Sequence, residues 1–197
     1  MFRADASFTP RTSRAGLDEF SSRVWYPMSG GGVNNSTGQG NNVLKAYPFE
    51  FRQNVVIDAL AAAWTTAGQA GSTLRLGVYS DLAGLPGELL LDAGTKSTAG
   101  DTVIQDWAGL SLAIRANTRV WFAAVIQGAP STQPNVYQVT ASPPVVLPLT
   151  VDANLPAVGL GQRVSVVHTD AVTGDLPDEF TYGSNSGSIT RILFKLA

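Results

Sequence analysis

The sequence predicts an all-β protein, a β-sandwich with an extended N-terminal arm, and three observations lead there. Short apolar runs with a period of two recur along most of the chain, turn residues separate nearly all of them, and hardly any segment shows a helical period. The 197 residues include 20 Gly and 11 Pro, enough to punctuate many short strands. Among sandwiches, a jelly roll is the version expected.

Residues 1 to about 28 hold Arg3, Arg11, Arg14 and Arg23 with the aromatics Phe2, Phe8, Phe20, Trp25 and Tyr26, but no sustained period. This is the composition of an arm that could anchor in a neighbour, because Arg makes bidentate contacts and aromatics fill pockets. The tract SGGGVNNSTGQGNN, 29–42, is flexible by composition and matches no phosphate-binding loop. The expected organisation is therefore an arm and linker over 1–42 and a sandwich over 43–197.

Strands are predicted over 43–51, 55–65, 73–80, 88–91, 102–107, 110–115 and 119–127. VVIDALAAAWTT is ambiguous, since Ala61–Ala63 favour helix, but its β-branched opening and close favour a strand. In RLGVYSDLAGLPGELLLDAG, 75–94, Leu76 and Val78 alternate with Arg75, Gly77 and Tyr79, a half-buried strand. Asp81, Gly84, Pro86 and Gly87 then supply a turn of several residues before Leu89–Leu91 resume. In TRVWFAAVIQ both alternating faces are largely apolar, which marks a central strand and, with so few charges to solvate the surface, suggests self-association. The Pro-rich stretch after Gly128 should wrap the body as an irregular connection. Strands over 163–169 and 189–196 close the chain, Ile192, Phe194 and Leu196 sharing one face.

Composition narrows the function. Thirteen basic residues against 15 acidic ones give a net charge of −2, not the basic excess that displaces counterions from phosphates, so no nucleic-acid partner is expected. Charged residues make up only 14%, against ~25% in an ordinary domain. A surface that is polar yet uncharged suits a turn-rich β-protein or a subunit of a larger assembly. The absence of cysteine excludes disulfides, thiol nucleophiles and thiolate zinc sites. No run approaches the ~18 to 20 apolar residues that span a bilayer as a helix, and the N-terminus lacks an apolar signal core, so synthesis in a cytoplasm and no membrane insertion are expected.

Chemistry is sparse. His168 is the sole histidine and no G-x-S-x-G accompanies it. Asp170, Asp175, Asp178 and Glu179 share one loop and are weak calcium candidates, though their spacing fits no EF-hand and turn capping is the stronger reading. Asp58, Glu88, Asp101 and Asp106 offer carboxylates for glycoside hydrolysis, but nothing in their spacing pairs them. Trp64 and Trp107 are the candidates for stacking on a glycan, against the stronger reading that aromatics in strands pack a core. No catalytic residues and no cofactor are expected.

Four stretches carry a resemblance: AYPFEF at 46–51, the long run from Val55 through RLGVY, LPG and DAG, the strand TRVWFAAVIQGAPSTQP, and GDLPDEFTYGSNSGSITRILFKL. Together they resemble a module of tailed-bacteriophage virion proteins of the minor tail or tail-fibre type, over roughly 45–197. The resemblance implies a non-enzymatic β-sandwich structural protein of the virion, commonly a homotrimer. It also implies other virion proteins as partners and a surface for host attachment. No coiled-coil or β-helical shaft is present, so a small subunit docked on a larger particle fits better than a free-standing fibre. Alternatives are a capsid decoration protein, similar in its compact β-domain and anchoring arm, and a module that binds a host surface glycan.

Overall fold

A computed structural model describes residues 24–28, 33–35, 38–100, 103–139 and 165–197. They form strands β1 (Trp25–Pro27), β2 (Val33–Asn35), β3 (Val43–Phe51), β4 (Val55–Thr66), β5 (Thr73–Leu82), β6 (Leu85–Ser97), β7 (Val103–Ile114) and β8 (Thr118–Gln127). β9 (Asn135–Val139), β10 (Ser165–Ala171), β11 (Tyr182–Ser186), β12 (Ile189–Thr190) and β13 (Leu193–Leu196) follow, with no helix among the described residues. One sheet of seven strands runs β1-β13-β4-β9-β12, with β2 also on β9 and β7 also on β4; the other, of six, runs β11-β10-β3-β8-β5-β6. The protein is a β-sandwich.

Alternation along β8 explains why two layers form. Val120, Phe122, Ala124 and Ile126 enter the main core between the sheets, while Trp121, Ala123 and Val125 enter a second, smaller core on the outer face. In the main core Phe194 of β13 stacks on Phe122 at 5.5 Å, and Phe49 and Phe51 approach Phe194 at 5.2 and 5.3 Å. Each such pair contributes about 0.5–1.5 kcal/mol beyond the area it buries, so the last strand pins one sheet to the other. Ile192, Phe194 and Leu196 are all buried, as their alternation predicts.

The ambiguous run is a strand: β4 pairs with β7 along nearly its whole length, with β13 on its other side at one end and β9 at the other. Three expectations are corrected. Pro-rich chain after Gly128 contributes β9 rather than only an irregular connection, because Pro134 precedes the strand and leaves its ladder donors intact. The two runs over 102–115 form one strand, since Gly109 takes φ 78° and absorbs the break in alternation as a bulge. The turn after β5 is tighter than its Gly and Pro content suggests. Ala83 and Gly84, at φ 53° and 88°, make a two-residue connection whose twist matches the strands, and Asp81 accepts the Gly84 N–H at 3.1 Å.

The linker expectation over 29–42 is also corrected where that tract is described. β2 lies on β9, and Gln39, 4% exposed, ties the two sheets together. Its Oε1 accepts from Thr190 N–H at 2.8 Å and Thr190 Oγ1 at 2.7 Å, while its Nε2 donates to the Val43 and Ala124 carbonyls. A side-chain amide with two acceptor and two donor sites is thereby fully used. Lys45, which shares the inner face of β3 with Tyr47, has no ion pair among the described residues. Burial lowers its pKa to about 8, so its charge is an internal cost at neutral pH.

Gln39→Ala leaves the Thr190 donors and the Ala124 carbonyl without their partner inside the protein. Urea unfolding should show a loss of about 2–4 kcal/mol, far above that of an exposed Gln→Ala change.

Candidate functional site

The outer face of β8 is apolar because Trp121, Ala123 and Val125 stand on it, and it needs a cover. Chain segment 172–181, between β10 and β11, provides one: Val172, Leu176 and Phe180 pack onto Leu44, Ala46, Tyr79 and Trp121. Gly77 of β5 sets the seat. A Cβ there would lie 2.2 Å from Leu176 Cδ1 and 2.8 Å from the Leu91 carbonyl, so Leu176 fits only above a glycine. Phe180 meets Tyr79 edge-on at 5.4 Å and His168 at 5.1 Å.

Polar contacts fasten this strap. Arg75 donates from Nε to both oxygens of Asp92, at 2.8 and 2.9 Å, from Nη2 to Asp175 at 2.6 Å, and from Nη1 to the Gly174 carbonyl at 3.1 Å. Asp92 also accepts the Leu176 N–H at 3.1 Å and the Gly94 N–H at 2.8 Å. Gln127 Nε2 donates to the Val172 and Gly174 carbonyls, and the Tyr79 hydroxyl donates to the Pro177 carbonyl at 3.0 Å. Leu89 N–H reaches the Asp178 carbonyl and Phe180 N–H the Gly87 carbonyl, so the strap also bonds the first part of the outer edge of β6.

The electrostatics follow this geometry. Burial opposes ionisation of Asp92, but the Arg75 guanidinium and the Gly94 and Leu176 N–H groups together outweigh it and hold its carboxyl below the usual range. Arg75 is raised chiefly by its hydrogen bond to Asp92, and Tyr79 is raised first by burial and then by Asp92 and Asp178.

Two open clefts lie at the end of the sandwich where β3 turns into β4 and β7 into β8. One, of about 840 Å³, is bordered by Asn54, Val56, Ala113, Arg115 and Ala197; the other, of about 650 Å³, by Glu50, Ser80, Asn117 and Arg119. Asp81 in the second is already committed to Trp121 Nε1 at 2.8 Å and to the turn at Gly84. Such a rim offers hydrogen-bonding groups and charge of both signs.

The residues singled out from sequence fall in several places. Trp64 and Trp107 are 1% and 3% exposed, and their indole N–H groups donate to the Gly100 and Gly94 carbonyls at 3.2 and 3.0 Å. The glycan-stacking expectation for this pair is corrected: their faces are spent on the core. Among the acids, Asp175 answers Arg75 and Asp178 holds β6 through its carbonyl, while Glu179 forms a backbone bridge with Glu88. Among the described residues no three His, Cys, Asp or Glu side chains gather as a metal-binding set. His168 is 8% exposed, and its Nδ1 accepts the Asp170 N–H at 3.0 Å. Of the anchoring candidates, Trp25 lies on β1 with Lys195 Nζ 5.6 Å from its ring centre; Phe2, Arg3, Phe8, Arg11, Arg14, Phe20 and Arg23 lie outside the described residues.

The Arg75–Asp92 clamp and the seat of Leu176 are what sequence reading misses. Its one signal is Gly77, an isolated glycine inside a strand, which marks close approach by another part of the chain. No family model matches the chain, and no curated protein matches it.

Asp92→Asn breaks the clamp and should lower stability at pH 7 by about 1–3 kcal/mol. Because the folded pKa of Asp92 is depressed, its contribution is present above the unfolded value of about 3.9 and is lost as pH falls through the folded one. Chemical unfolding of both proteins from pH 7 down to pH 3 should therefore show the gap between them closing below about pH 4.

Proposed function

We propose that the chain is a non-enzymatic structural subunit of a tailed-bacteriophage virion. It is associated with the tail as a minor tail or fibre component and assembles with copies of itself and with other virion proteins. One observation carries the reading: the stretches that resemble phage virion proteins are the ones that fasten each other. Arg75, Gly77 and Asp92 of the RLGVY-to-DAG hairpin hold Gly174, Asp175 and Leu176 of GDLPDEF. A signature made of residues that lock a strap to a sheet describes a wall, and a wall is what a particle subunit supplies. The end of the sandwich with its two clefts is the surface offered for host attachment, through hydrogen bonds from groups such as Asn117 and Arg119. A capsid decoration role would use the same compact body.

Immunogold electron microscopy of purified phage particles, with an antibody raised against this chain, tests the proposal. Label on the tail or its tip is expected. Label over the head would replace it with the decoration role, and unlabelled particles would reject both.

A further inference from the structure

Two long strands lie at sheet edges with no strand partner on their outer side among the described residues, β6 and β7. In the six-stranded sheet, β11 is five residues of polar YGSNS, and β6 has the strap bonded at Gly87 and Leu89 and carries Pro86, Glu88, Asp92 and Lys96 along its length. In the seven-stranded sheet, β1 is three residues ending in Pro27, β2 is three and β12 is two. β7 is different: twelve residues, paired with β4 alone, or roughly 40 Å of ladder at ~3.3 Å per residue. Proteins usually blunt such an edge with charge, proline or a covering segment. β7 has no proline, its single charge is Asp106, and Ile104 stands 74% exposed on its outward face.

We propose that β7 is an interface between two copies of this chain, pairing antiparallel with the same strand of a second copy about a two-fold axis. The pattern of faces supports this. Trp107, Leu110, Leu112 and Ile114 turn to the core, so Ile104, Asp106, Ala108, Ser111 and Ala113 turn outward, the alternation being reset at the Gly109 bulge. An axis passing between Ala108 and Gly109 uses the whole strand and keeps like faces together. It sets Ile104 opposite Ala113, Asp106 opposite Ser111 and Trp107 opposite Leu110 of the other copy. Like charges never meet: each Asp106 faces a hydroxyl that can donate to it. The two seven-stranded sheets then continue as one, and the contact is isologous. This gives physical form to the self-association in the proposed function, but a two-fold pair differs from the trimer that the resemblance implies. It is tested on the isolated full chain, independently of where that chain sits on a particle.

Light scattering across micromolar concentrations should give a dimer for the unaltered chain. Ser111→Asp sets a carboxylate against the partner's Asp106 twice around the axis and should weaken the dimer about tenfold, an effect that adding Asp106→Lys should reverse. Both positions are exposed, so the fold should survive either change. The chain has no cysteine, so Ile104→Cys with Ala113→Cys reads the register directly, as a covalent dimer under oxidising conditions. A monomer at every concentration, a trimer indifferent to Ser111→Asp, or failure of the two cysteines to cross-link would each overturn the pairing.

Discussion

Both faces of β8 are apolar, and this constraint governs the rest of the molecule. A strand that alternates Val120, Phe122, Ala124 and Ile126 with Trp121, Ala123 and Val125 cannot leave either side to water. Its sheet must be covered twice. The seven-stranded sheet covers one side, with the aromatic group around Phe194 as the joint. On the other side there is no third sheet among the described residues, and the cover they provide is ten residues of chain whose three apolar side chains are spaced four apart: Val172, Leu176 and Phe180. So thin a cover needs fastening, which is why Arg75, Asp92, Gln127 and Tyr79 all direct hydrogen bonds to it or accept them from it.

The same constraint bears on function. Residues that look like a motif in the sequence are occupied in holding the fold, and their chemistry is turned inward. Asp175 and Asp178, which could have been ligands, are a salt-bridge partner and a backbone acceptor. Trp64 and Trp107, which could have been platforms, are core. Among the described residues, the mixed polar rim of the two clefts and the unpaired side of β7 face outward. Both suit contact with other molecules, and the proposed role in a virion uses both.

Periodicity made most of the fold legible. β3, β4, β8 and β13 follow from alternation in their own residues, and even the alanine run in β4 was readable from its β-branched ends, whereas the single strand expected over 189–196 divides into β12 on β9 and β13 on β4. Features that depend on distant partners were not. β1, β2 and β9 are short and carry no pattern of their own; they are strands because β13 and β9 or β4 offer them a ladder. Gln39 looks like any residue of a flexible tract until Thr190, 151 positions away, is placed beside it. The outer face of β5 reads as solvent-facing because Arg75, Gly77 and Tyr79 are what an exposed or a covered face could equally carry. Connectivity of the jelly-roll kind is a matter of which strands neighbour which, and period-two patterns are silent on that.

Amide hydrogen exchange on the full chain carrying Gly77→Ala tests the central claim, that a fastened strap completes the sheet. The added Cβ must displace Leu176 and press on the Leu91 carbonyl of β6. The account predicts faster exchange at the strap amides of Leu176 and Phe180 and at Leu89 of β6, while β4 and β13 in the far sheet keep their protection. Unchanged protection at Leu176, Phe180 and Leu89 would contradict it, as would an equal loss throughout both sheets.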